Sequence, residues 1–345
     1  MNKNKDYSFW ANKKILITGH TGFKGSWLSL ILKNLNSEVY GLSDEKKEGM
    51  YKILEGQNIF KKEIFKNIEN LNKEDVEELM NVDLDYIFHL AAQSLVIEAN
   101  KHPRETLITN IVGTFNVLEF FNNHSTARTM CISTTDKVYK NTDSKNKEDA
   151  EIGGAEFYSA SKASAENIIE AFNNEILKEN KNIVVVRSGN VIGGGDRGNH
   201  RLIPDIVNSI KENKKIILRN PESIRPWQYI LDSLSGYLIS AEYSYINKKG
   251  EKFNLNSEAN NKYNVLEVTE MLVKVWESNS EIEINNDEIV KETDHLFINS
   301  EKAKKFLDWS ANTNIEESLN KIVIWEKSSN KYQESLKQVK DFFNS

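Results

Sequence analysis

The chain has 345 residues, and its 45 Lys and Arg against 51 Asp and Glu give a formal net charge of −6. This length suffices for two lobes around a large core, and the acidic balance argues against a dedicated nucleic-acid-binding protein, since such proteins usually carry a basic excess. A single cysteine, Cys131, excludes an intramolecular disulfide. The polar N-terminal residues do not resemble a signal peptide, and no apolar run is long enough for a membrane span. We therefore predict a cytoplasmic protein without membrane or nucleic-acid partners.

Short apolar runs alternate with longer amphipathic stretches over the first half of the chain. The runs are rich in Ile, Val and Leu, as is typical of strands buried on both faces. In chain order we predict strand Lys14–Thr18, helix Lys24–Leu35, strand Glu38–Leu42, helix Asp75–Met80, strand Tyr86–Leu90, helix Arg104–Asn122, strand Thr129–Ser133, helix Tyr158–Lys178 and strand Ile183–Arg187. This alternation predicts an α/β protein with a Rossmann-type, doubly wound parallel sheet.

The alternation loosens after Arg187, and we expect a smaller, mainly C-terminal substrate-binding lobe there. The Rossmann domain is predicted to comprise residues 1–188, with about 223–248 returning to it, and the second lobe to comprise 189–222 and 249–345. The remaining predicted elements are the helices Val265–Glu277, Ile315–Glu326 and Tyr332–Phe343 and a mobile surface loop at Asp143–Glu151.

Three glycines follow the first predicted strand at a spacing of three: Gly19, Gly22 and Gly25. In a Rossmann fold the first glycine permits a tight turn, the second lets the backbone approach a pyrophosphate, and the third lets the next helix pack closely. The motif alone is a weak signal, because such turns also occur without a ligand, but its place after the first strand favours a bound dinucleotide. Asp44, near the end of the second strand, is a candidate for the ribose 2′-hydroxyl and favours NAD, with the start of a loop as the alternative.

Two clusters carry candidate chemistry. Tyr158 and Lys162 are four residues apart on a predicted helix, so they share a face, and the ammonium is expected to lower the pKa of the phenol from about 10. Such a tyrosine takes a proton from a hydroxyl while a hydride leaves the same carbon. Thr135, Asp136 and Lys137 follow a strand at the sheet edge where ligands bind. Thr135 is a candidate to hydrogen-bond the reacting oxygen, Asp136 to act as general acid, and Lys137 to act as base or proton carrier. The alternative is a solvated surface turn.

Several segments resemble the extended short-chain dehydrogenase/reductase superfamily: the glycine turn, His89-Leu-Ala-Ala-Gln93, Thr109-Asn110, Thr135-Asp136 and the Tyr158/Lys162 pair. A narrower resemblance is to the CDP-glucose 4,6-dehydratases, a family of nucleotide-sugar dehydratases. It runs from about Trp10 to beyond Tyr237. The segments that carry it are GHTGFKGSWL, TTDKVY, GNVIGGGD, RLIPD and RNPESIRPWQYILDSLSGYL.

The resemblance implies a three-stage reaction on one bound NAD. Tyr158 deprotonates the sugar 4-hydroxyl as C4 gives up hydride, water leaves from C5 and C6 with Asp136 protonating the 6-hydroxyl, and the hydride returns to C6. The product is a 4-keto-6-deoxy sugar for deoxysugar biosynthesis, such as that of lipopolysaccharide O-antigen. Lys137 stands where the related dTDP-glucose enzymes carry Glu, and whether it removes the C5 proton stays open.

The resemblance also assigns binding residues. The predicted cofactor-binding residues are Gly19, Thr21, Gly22, Phe23, Lys24, Gly25, Asp44, Asn67, Leu90, Ala91, Ala92, Gln93, Asn110, Tyr158 and Lys162. The predicted substrate-binding residues are Gln93, Asn190, Arg201, Leu202, Arg219, Arg225, Trp227 and Gln228.

Alternatives accompany several of these assignments. Each arginine has an ordinary salt bridge as its alternative, and Trp227 has core packing. His89 is predicted to be a hydrogen-bonded core residue, and His20 is a candidate cofactor contact. No spacing of His, Cys and carboxylates predicts a metal site. The chain departs from the family at Ile97–Asn100, where a basic residue and a Ser-Tyr pair are usual, and at Asn67, where the family has an aspartate.

Two other functions are compatible with parts of this pattern. A nucleotide-sugar epimerase or oxidoreductase of the same superfamily needs the tyrosine and lysine but not an Asp-Lys pair, and a noncatalytic NAD-binding protein needs neither. Relatives often dimerise through two helices per subunit, for which Arg104–Asn122 and Tyr158–Lys178 are the candidates. We therefore expect a homodimer or homotetramer that takes a CDP-sugar.

Overall fold

The computed structural model describes residues 5–140, 145–260, 262–285 and 297–343. A seven-stranded parallel sheet is its central feature. The strands, β1 to β11 in chain order, are Lys14–Thr18, Glu38–Ser43, Phe60–Phe65, Tyr86–His89, Thr129–Thr135, Asn182–Ser188, Val191–Ile192, Ile216–Leu218, Gln228–Tyr229, Glu251–Leu255 and Ile282–Ile284. The sheet order is β10-β6-β5-β4-β1-β2-β3, and the short strands pair as β11-β8 and β7-β9. This arrangement confirms the predicted fold class.

Helices cover both faces of the sheet. In chain order, α1 to α13 are Phe23–Asn34, Met50–Leu54, Lys73–Met80, Val96–Lys101, Pro103–Leu107, Gly113–Asn123, Phe157–Glu175, Leu202–Lys211, Ile230–Asn247, Val265–Trp276, Glu301–Leu307, Ile315–Lys327 and Lys331–Phe343. The predicted single helix Arg104–Asn122 is α5 and α6 joined by one π-helical segment, Ile108–Val112. None of the helices in the described ranges has the length and apolar composition needed to traverse a bilayer.

Three large apolar cores hold these layers together, and a fourth, small one includes Val138 and Ile298. One face of the sheet packs against α1 and α9, with Trp27 and Leu234 fully buried. The other face packs against α6 and α7, with Phe121 and Ile169 buried. A separate core joins α8, α10 and α12 around residues such as Leu319 and forms the smaller lobe. Because both faces of the sheet are covered, its inner strands are continuous apolar runs, and this is why they can be read from the sequence.

One segment differs from the predicted division of the chain. Glu251–Leu255, placed by that division in the second lobe, is instead β10, which pairs in parallel with β6 at the edge of the central sheet. Phe253 and Leu255 are fully buried there in the same core as α9. The chain therefore returns to the large sheet through α9 and β10 together.

The predicted loop Asp143–Glu151 lies partly outside the described residues, which resume at residue 145. In the described part, the carbonyl of Asn146 accepts a hydrogen bond from the Asn254 side chain at 3.0 Å. The Glu148 carboxylate accepts one from the Asn254 backbone N–H at 2.8 Å. This half of the loop is tied to β10.

Candidate active site

A cleft of about 1580 Å³ lies between the carboxyl edge of the central sheet and the smaller lobe. The β1–α1 turn, the ends of β4, β5 and β6, and the segment that leads into α8 form its walls. Of the predicted site residues, those that line it are Gly19, Thr21, Gly22, Phe23, Lys24, Gly25, Asp44, Asn67, Leu90, Ala91, Ala92, Gln93, Thr135, Asp136, Lys137, Tyr158, Lys162, Asn190, Arg201, Leu202, Arg219, Arg225 and Trp227. The fold thus brings most of the predicted site into one cleft, while Asn110 and Gln228 are not part of its wall.

The glycine turn has the form expected of a phosphate cradle. Gly19 has a φ of 75°, a backbone conformation that favours glycine. A Cβ at Gly25 would overlap the Gly19 carbonyl oxygen and lie 2.8 Å from the His20 Cα, whereas a Cβ at Gly22 would meet only the Gly19 oxygen at 3.3 Å. Gly22 is the N-cap of α1, so the free N–H groups of that helix face the cleft. The turn can accept a diphosphate close to its backbone at Gly22.

His20 occupies a supporting position behind this turn. Its ring is fully buried and is hydrogen-bonded to Ser43 Oγ at 2.9 Å and to Glu63 Oε1 at 3.0 Å. It does not line the cleft, which places it away from the predicted cofactor contact. Asp44 does reach the cleft, where it forms an ion pair with Lys47 at 3.2 Å.

Asn110 organises the segment after β4. Its side chain accepts a hydrogen bond from the Gln93 N–H at 2.9 Å, donates to the Gln93 carbonyl at 2.9 Å and donates to Ser161 Oγ at 2.8 Å. Asn110 is fully buried in the π-helical segment, so it supports the cleft from behind. A π-helical turn within a longer helix is often associated with function, and it is the signal that marks this position.

His89 is a hydrogen-bonded core residue, as predicted from the strand pattern. Its ring is hydrogen-bonded to Thr18 Oγ1 at 2.7 Å and Thr114 Oγ1 at 3.1 Å. Burial, together with the charge of Lys162, lowers the pKa of His89 to about 3. The imidazole is therefore neutral at physiological pH and holds β1, β4 and α6 together.

The candidate catalytic side chains meet at the end of β5. Lys162 Nζ donates a hydrogen bond to the Ser133 carbonyl at 3.0 Å, and burial lowers the pKa of Lys162 to about 8. The Thr135 hydroxyl donates to Asp136 Oδ1 at 3.0 Å and is also hydrogen-bonded to the Tyr158 side chain. Thr135 therefore links the phenol to the carboxyl.

The pKa of Tyr158 differs from the sequence-based expectation. Burial raises it to about 12, and the nearby negative charge of Asp136 adds to the rise, while Thr135 and Arg201 oppose it. The predicted lowering by Lys162 is wrong for this arrangement, because removing the phenolate from water outweighs the hydrogen bond of Thr135 and the charge of Arg201, which are the influences that lower the pKa. The sequence shows the spacing of the pair but not the depth of its burial.

Asp136 has the properties of a proton donor. It is 3% exposed, and within the described part of the chain its Oδ2 atom lacks a hydrogen-bond partner. Burial raises the pKa of Asp136, opposed by Lys137, Thr135 and Arg225. A buried carboxyl with one free oxygen and a raised pKa carries its proton to higher pH than an exposed one.

Of the predicted substrate-binding residues, Arg201 is held by polar contacts, whereas Trp227 and Gln228 are buried. Arg201 Nη1 contacts Asp196 Oδ2 at 3.1 Å and Nη2 donates to Ser94 Oγ at 2.9 Å, so the alternative of a salt bridge is present. Trp227 is 2% exposed and packs in the core of the smaller lobe, with its indole N–H donating to the Tyr263 carbonyl at 3.1 Å. Gln228 is buried, and its side-chain amide has no partner among the described residues.

Tyr237 is a buried residue to which the sequence analysis gave no role. Its hydroxyl contacts Ser133 Oγ at 2.8 Å and Ser188 Oγ at 2.9 Å, and it accepts a hydrogen bond from Lys24 Nζ at 3.0 Å. It joins α9 to the glycine-turn helix and to the ends of β5 and β6. The only sequence signal is its place in the segment RNPESIRPWQYILDSLSGYL, which does not show which face of α9 meets the cleft.

Residues 16–322 match the model of the GDP-mannose 4,6-dehydratase family. The chain belongs to this family. It is 33% identical over 339 residues to CDP-glucose 4,6-dehydratase of Salmonella typhimurium, an alignment that covers 94% of this chain and 93% of the relative. It is also 30% identical over 275 residues to dTDP-D-glucose 4,6-dehydratase of Dictyostelium discoideum, which covers 72% of this chain and 58% of that protein.

Solved structures of related enzymes share the fold of this dehydratase-family chain. The dTDP-glucose 4,6-dehydratase of Bacillus anthracis in complex with NAD superposes with a TM-score of 0.76 at 23% identity, covering 94% of this chain and 99% of that one. The UDP-glucuronic acid 4-epimerase of Bacillus cereus, in complex with UDP-glucuronic acid and NAD, has a TM-score of 0.78 at 23% identity and the same coverage. The predicted family resemblance is confirmed. No group of three or more His, Cys, Asp or Glu suited to a metal ion occurs among the residues that the structure describes.

Proposed function

We propose that this member of the dehydratase family is an NAD-dependent hydro-lyase that converts CDP-glucose to CDP-4-keto-6-deoxyglucose. One observation carries the proposal: Tyr158, Lys162, Thr135 and Asp136 line the same cleft as the glycine turn. The 33% identity to a CDP-glucose 4,6-dehydratase over 94% of the chain supports the choice of nucleotide and sugar.

The residues at the glycine turn fit NAD. Space for a diphosphate exists at Gly22, the N-terminus of α1 faces it, and Asp44 lies at the end of β2 for a ribose hydroxyl. Asn67, in place of an aspartate, offers an uncharged hydrogen-bonding group on the adenine side. Bound NAD would supply the acceptor for the C4 hydride and later the donor for C6.

The proton transfers fall to this chain's own side chains. Tyr158 takes the proton of the sugar 4-hydroxyl, with Thr135 holding the reacting oxygen and Lys162 stabilising the phenolate. The 4-keto group makes the C5 proton acidic. Its removal breaks the C5–H bond, and Asp136 gives its proton to the departing 6-hydroxyl, which leaves as water. C5 is then reprotonated, while the hydride for C6 is what bound NAD would supply. Lys137 is the candidate base at C5, a role that requires a neutral amine.

The smaller lobe is proposed to bind the nucleotide diphosphate. It comprises 189–222 and the part of 249–345 outside β10, with 1–188 and about 223–248 as the NAD-binding domain. Planar guanidinium groups suit a diphosphate because they donate two parallel hydrogen bonds. To bind the diphosphate, Arg201 must give up its contacts with Asp196 and Ser94. The other proposed contacts are Asn190, Leu202 and Arg219 from the lobe and Arg225 from the segment that returns to the NAD-binding domain. In that segment Trp227 packs against the core of the lobe, and Gln228 is buried.

We further propose a cytoplasmic homodimer or homotetramer that serves deoxysugar biosynthesis, such as that of O-antigen. Apolar side chains on the candidate helices support this assembly. Ile108 and Val112, next to α5 and α6, are 36% and 44% exposed, and Phe157 at the start of α7 is 45% exposed.

Two other functions compete with this proposal. A 4-epimerase has the support of its shared fold, since epimerases are among the similar solved structures. However, epimerisation has no use for a proton donor at C6, and the buried Asp136 therefore favours elimination. A noncatalytic NAD-binding protein is disfavoured because Tyr158 and Lys162 are both retained in the cleft.

A substrate panel tests the proposal. The purified protein is incubated with NAD and with the CDP, dTDP, UDP or GDP derivative of the hexose, and the 4-keto-6-deoxy product is detected by its absorbance in alkali and by mass spectrometry. We expect product from CDP-glucose and none from any sugar with the Tyr158→Phe variant. Epimerised sugar without loss of water would favour the epimerase, and no turnover with the whole panel would contradict every dehydratase assignment.

A further inference from the structure

A buried acidic residue on the catalytic helix has no role in the steps above. Glu166 lies on α7, four residues after Lys162 and eight after Tyr158. Residues spaced by four share one face of a helix, so the carboxylate follows the catalytic pair along a single line. Its side chain is inaccessible to solvent, and an ionised carboxylate in such a place must be paired.

The partners of Glu166 come from two strands of the sheet. Its Oε1 atom accepts hydrogen bonds from the Thr134 hydroxyl at 2.7 Å and from Arg187 Nε at 2.9 Å, and Oε2 accepts from Arg187 Nε at 3.2 Å and from its Nη2. Thr134 directly precedes Thr135 and Asp136 at the end of β5. The carboxylate therefore connects α7, which carries Tyr158, to the strand end that carries the proposed acid.

Arg187 is fixed in turn. Its Nη1 donates to the Tyr139 hydroxyl at 2.6 Å and to the Glu148 carbonyl at 3.0 Å. The Tyr139 hydroxyl donates to Asn254 Oδ1 at 2.7 Å. Because the guanidinium is held on both sides, the Glu166 carboxylate is fixed in position between α7 and the sheet.

The charged groups around Lys162 come from several elements. Burial is the largest influence and lowers the pKa of Lys162 to about 8, Glu166 on α7 raises it, and Lys24 on α1 lowers it. His89 on β4 is neutral, and Tyr158 lies one helical turn before Lys162 on α7. Glu166 is thus the anion on α7 that opposes burial and the repulsion of Lys24.

We propose that Glu166 is a positioning residue of the catalytic pair: clamped by Arg187 and Thr134, its carboxylate keeps Lys162 a cation one helical turn after Tyr158 on α7. The inference rests on the proposed function only in assigning proton transfer to Tyr158 and Lys162. When the proton of Tyr158 leaves, the charged Lys162 stabilises the phenolate. Without Glu166, the pair loses a proton from Lys162 instead, and the tyrosine keeps the proton it must give up to act as a base.

Competitive acetylation of the resting protein tests this without any substrate. At pH 7 a lysine with a pKa of about 8 is neutral in about a tenth of the molecules. Loss of one nearby opposite charge lowers the pKa by about one unit, so about half of the Lys162 amines become neutral. We expect Glu166→Gln to raise the rate of Lys162 acetylation by acetic anhydride at pH 7 about fivefold.

A matched control lies one turn further along α7. Glu170 is 59% exposed and pairs with Lys252 at 2.9 Å, so Glu170→Gln should leave the Lys162 rate unchanged. Glu166→Gln leaves the Arg187 cation buried without its anion, which can destabilise the fold. The second test is therefore the Glu166→Gln/Arg187→Gln variant, which removes both charges. An increase is again expected, but a smaller one, because the variant loses a cation together with the anion. An unchanged Lys162 rate in both the single and the folded double variant would overturn the proposal.

The pH profile of product formation gives a second readout. In Glu166→Gln, the acidic limb of the rate profile should move to lower pH, because the Tyr158/Lys162 pair loses its shared proton more readily. The plateau rate should fall, because a smaller fraction of the deprotonated pair carries its charge as phenolate. A merely structural role would lower the plateau and leave the limb in place. Absence of activity in the wild type would contradict the proposed function and leave the acetylation result to decide the role of Glu166.

Discussion

Alanine substitutions at two of the three glycines separate the two tasks assigned to the glycine turn. A Cβ at Gly25 would lie 2.8 Å from the His20 Cα and closer still to the Gly19 oxygen, while ordinary contact begins at 3.4 Å. Both neighbours are backbone atoms, so no side chain can rotate away. A Cβ at Gly22 would meet one atom at 3.3 Å and otherwise point into the cleft. Gly25→Ala should therefore disrupt the packing of α1, whereas Gly22→Ala should interfere with ligand binding.

The expected magnitudes follow from these contacts. Overpacking typically costs about 1–3 kcal/mol, and the rigid neighbours of Gly25 place Gly25→Ala at about 3 kcal/mol or more of lost unfolding free energy. Gly22→Ala should change it by less than about 1 kcal/mol, because the gain from restricting the unfolded chain offsets the loss of a better N-cap. Its effect should fall on NAD, with affinity reduced about tenfold or more, which corresponds to about 1.4 kcal/mol.

Thermal unfolding with and without NAD measures both effects. For a chain of 345 residues, about 3 kcal/mol corresponds to a fall in Tm of about 4 °C. Gly25→Ala should show this fall without ligand, while Gly22→Ala should keep the wild-type Tm and lose most of the stabilisation by NAD. Wild-type NAD affinity in Gly22→Ala, or a wild-type Tm in Gly25→Ala, would refute the assignment of those tasks.

Two further predictions concern the catalytic cluster. Asp136→Asn should slow formation of the 4-keto-6-deoxy product by about 10²–10⁴-fold while NAD remains bound, measured by product yield alongside NAD fluorescence titration; an unchanged rate would contradict its role as acid. Lys162→Met should stabilise the folded protein at pH 7 by up to about 3 kcal/mol, because burial lowers the pKa of Lys162 to about 8 from 10.5. The unfolded chain holds that proton more tightly, so wild-type stability should rise as the pH increases from about 8 to about 10.5, and the advantage of the variant in urea unfolding should shrink over the same range. A constant difference across that range would contradict burial as the cause.

The sequence predicts well those elements whose environment is uniform along their length. The buried strands β1, β4 and β6 are continuous apolar runs, because helices cover both of their faces. The edge strand β3, Phe60–Phe65, was not predicted: Lys61 and Lys62 are exposed, Glu63 and Ile64 are partly buried, and the pattern is neither an apolar run nor an alternation. The strand β10 was also missed, because its sequence Glu-Lys-Phe-Asn-Leu is not a continuous apolar run and its pairing with β6 is set by distant parts of the chain.

The candidate site shows a similar division. Spacing places Tyr158 and Lys162 on one helical face, and strand order places Thr135 and Asp136 at the ligand-binding edge of the sheet. The pKa of Tyr158 depends on burial from all sides, which no local pattern encodes. Glu166 was missed for a similar reason: it lies on α7, and its importance comes from its ion pair with Arg187 on β6, which local sequence does not show.

The loop that enters the smaller lobe is bound to the loop that follows β2. The Gly195 carbonyl accepts a hydrogen bond from the Met50 N–H at 3.0 Å, and any Cβ at Gly49 would collide with that carbonyl oxygen. The pockets proposed for the cofactor and for the nucleotide sugar therefore share a backbone joint. A chimera that exchanges residues 189–222 to accept a different nucleotide must therefore keep the backbone path at residue 195 and the glycine at residue 49, because a side chain there would collide with the Gly195 oxygen.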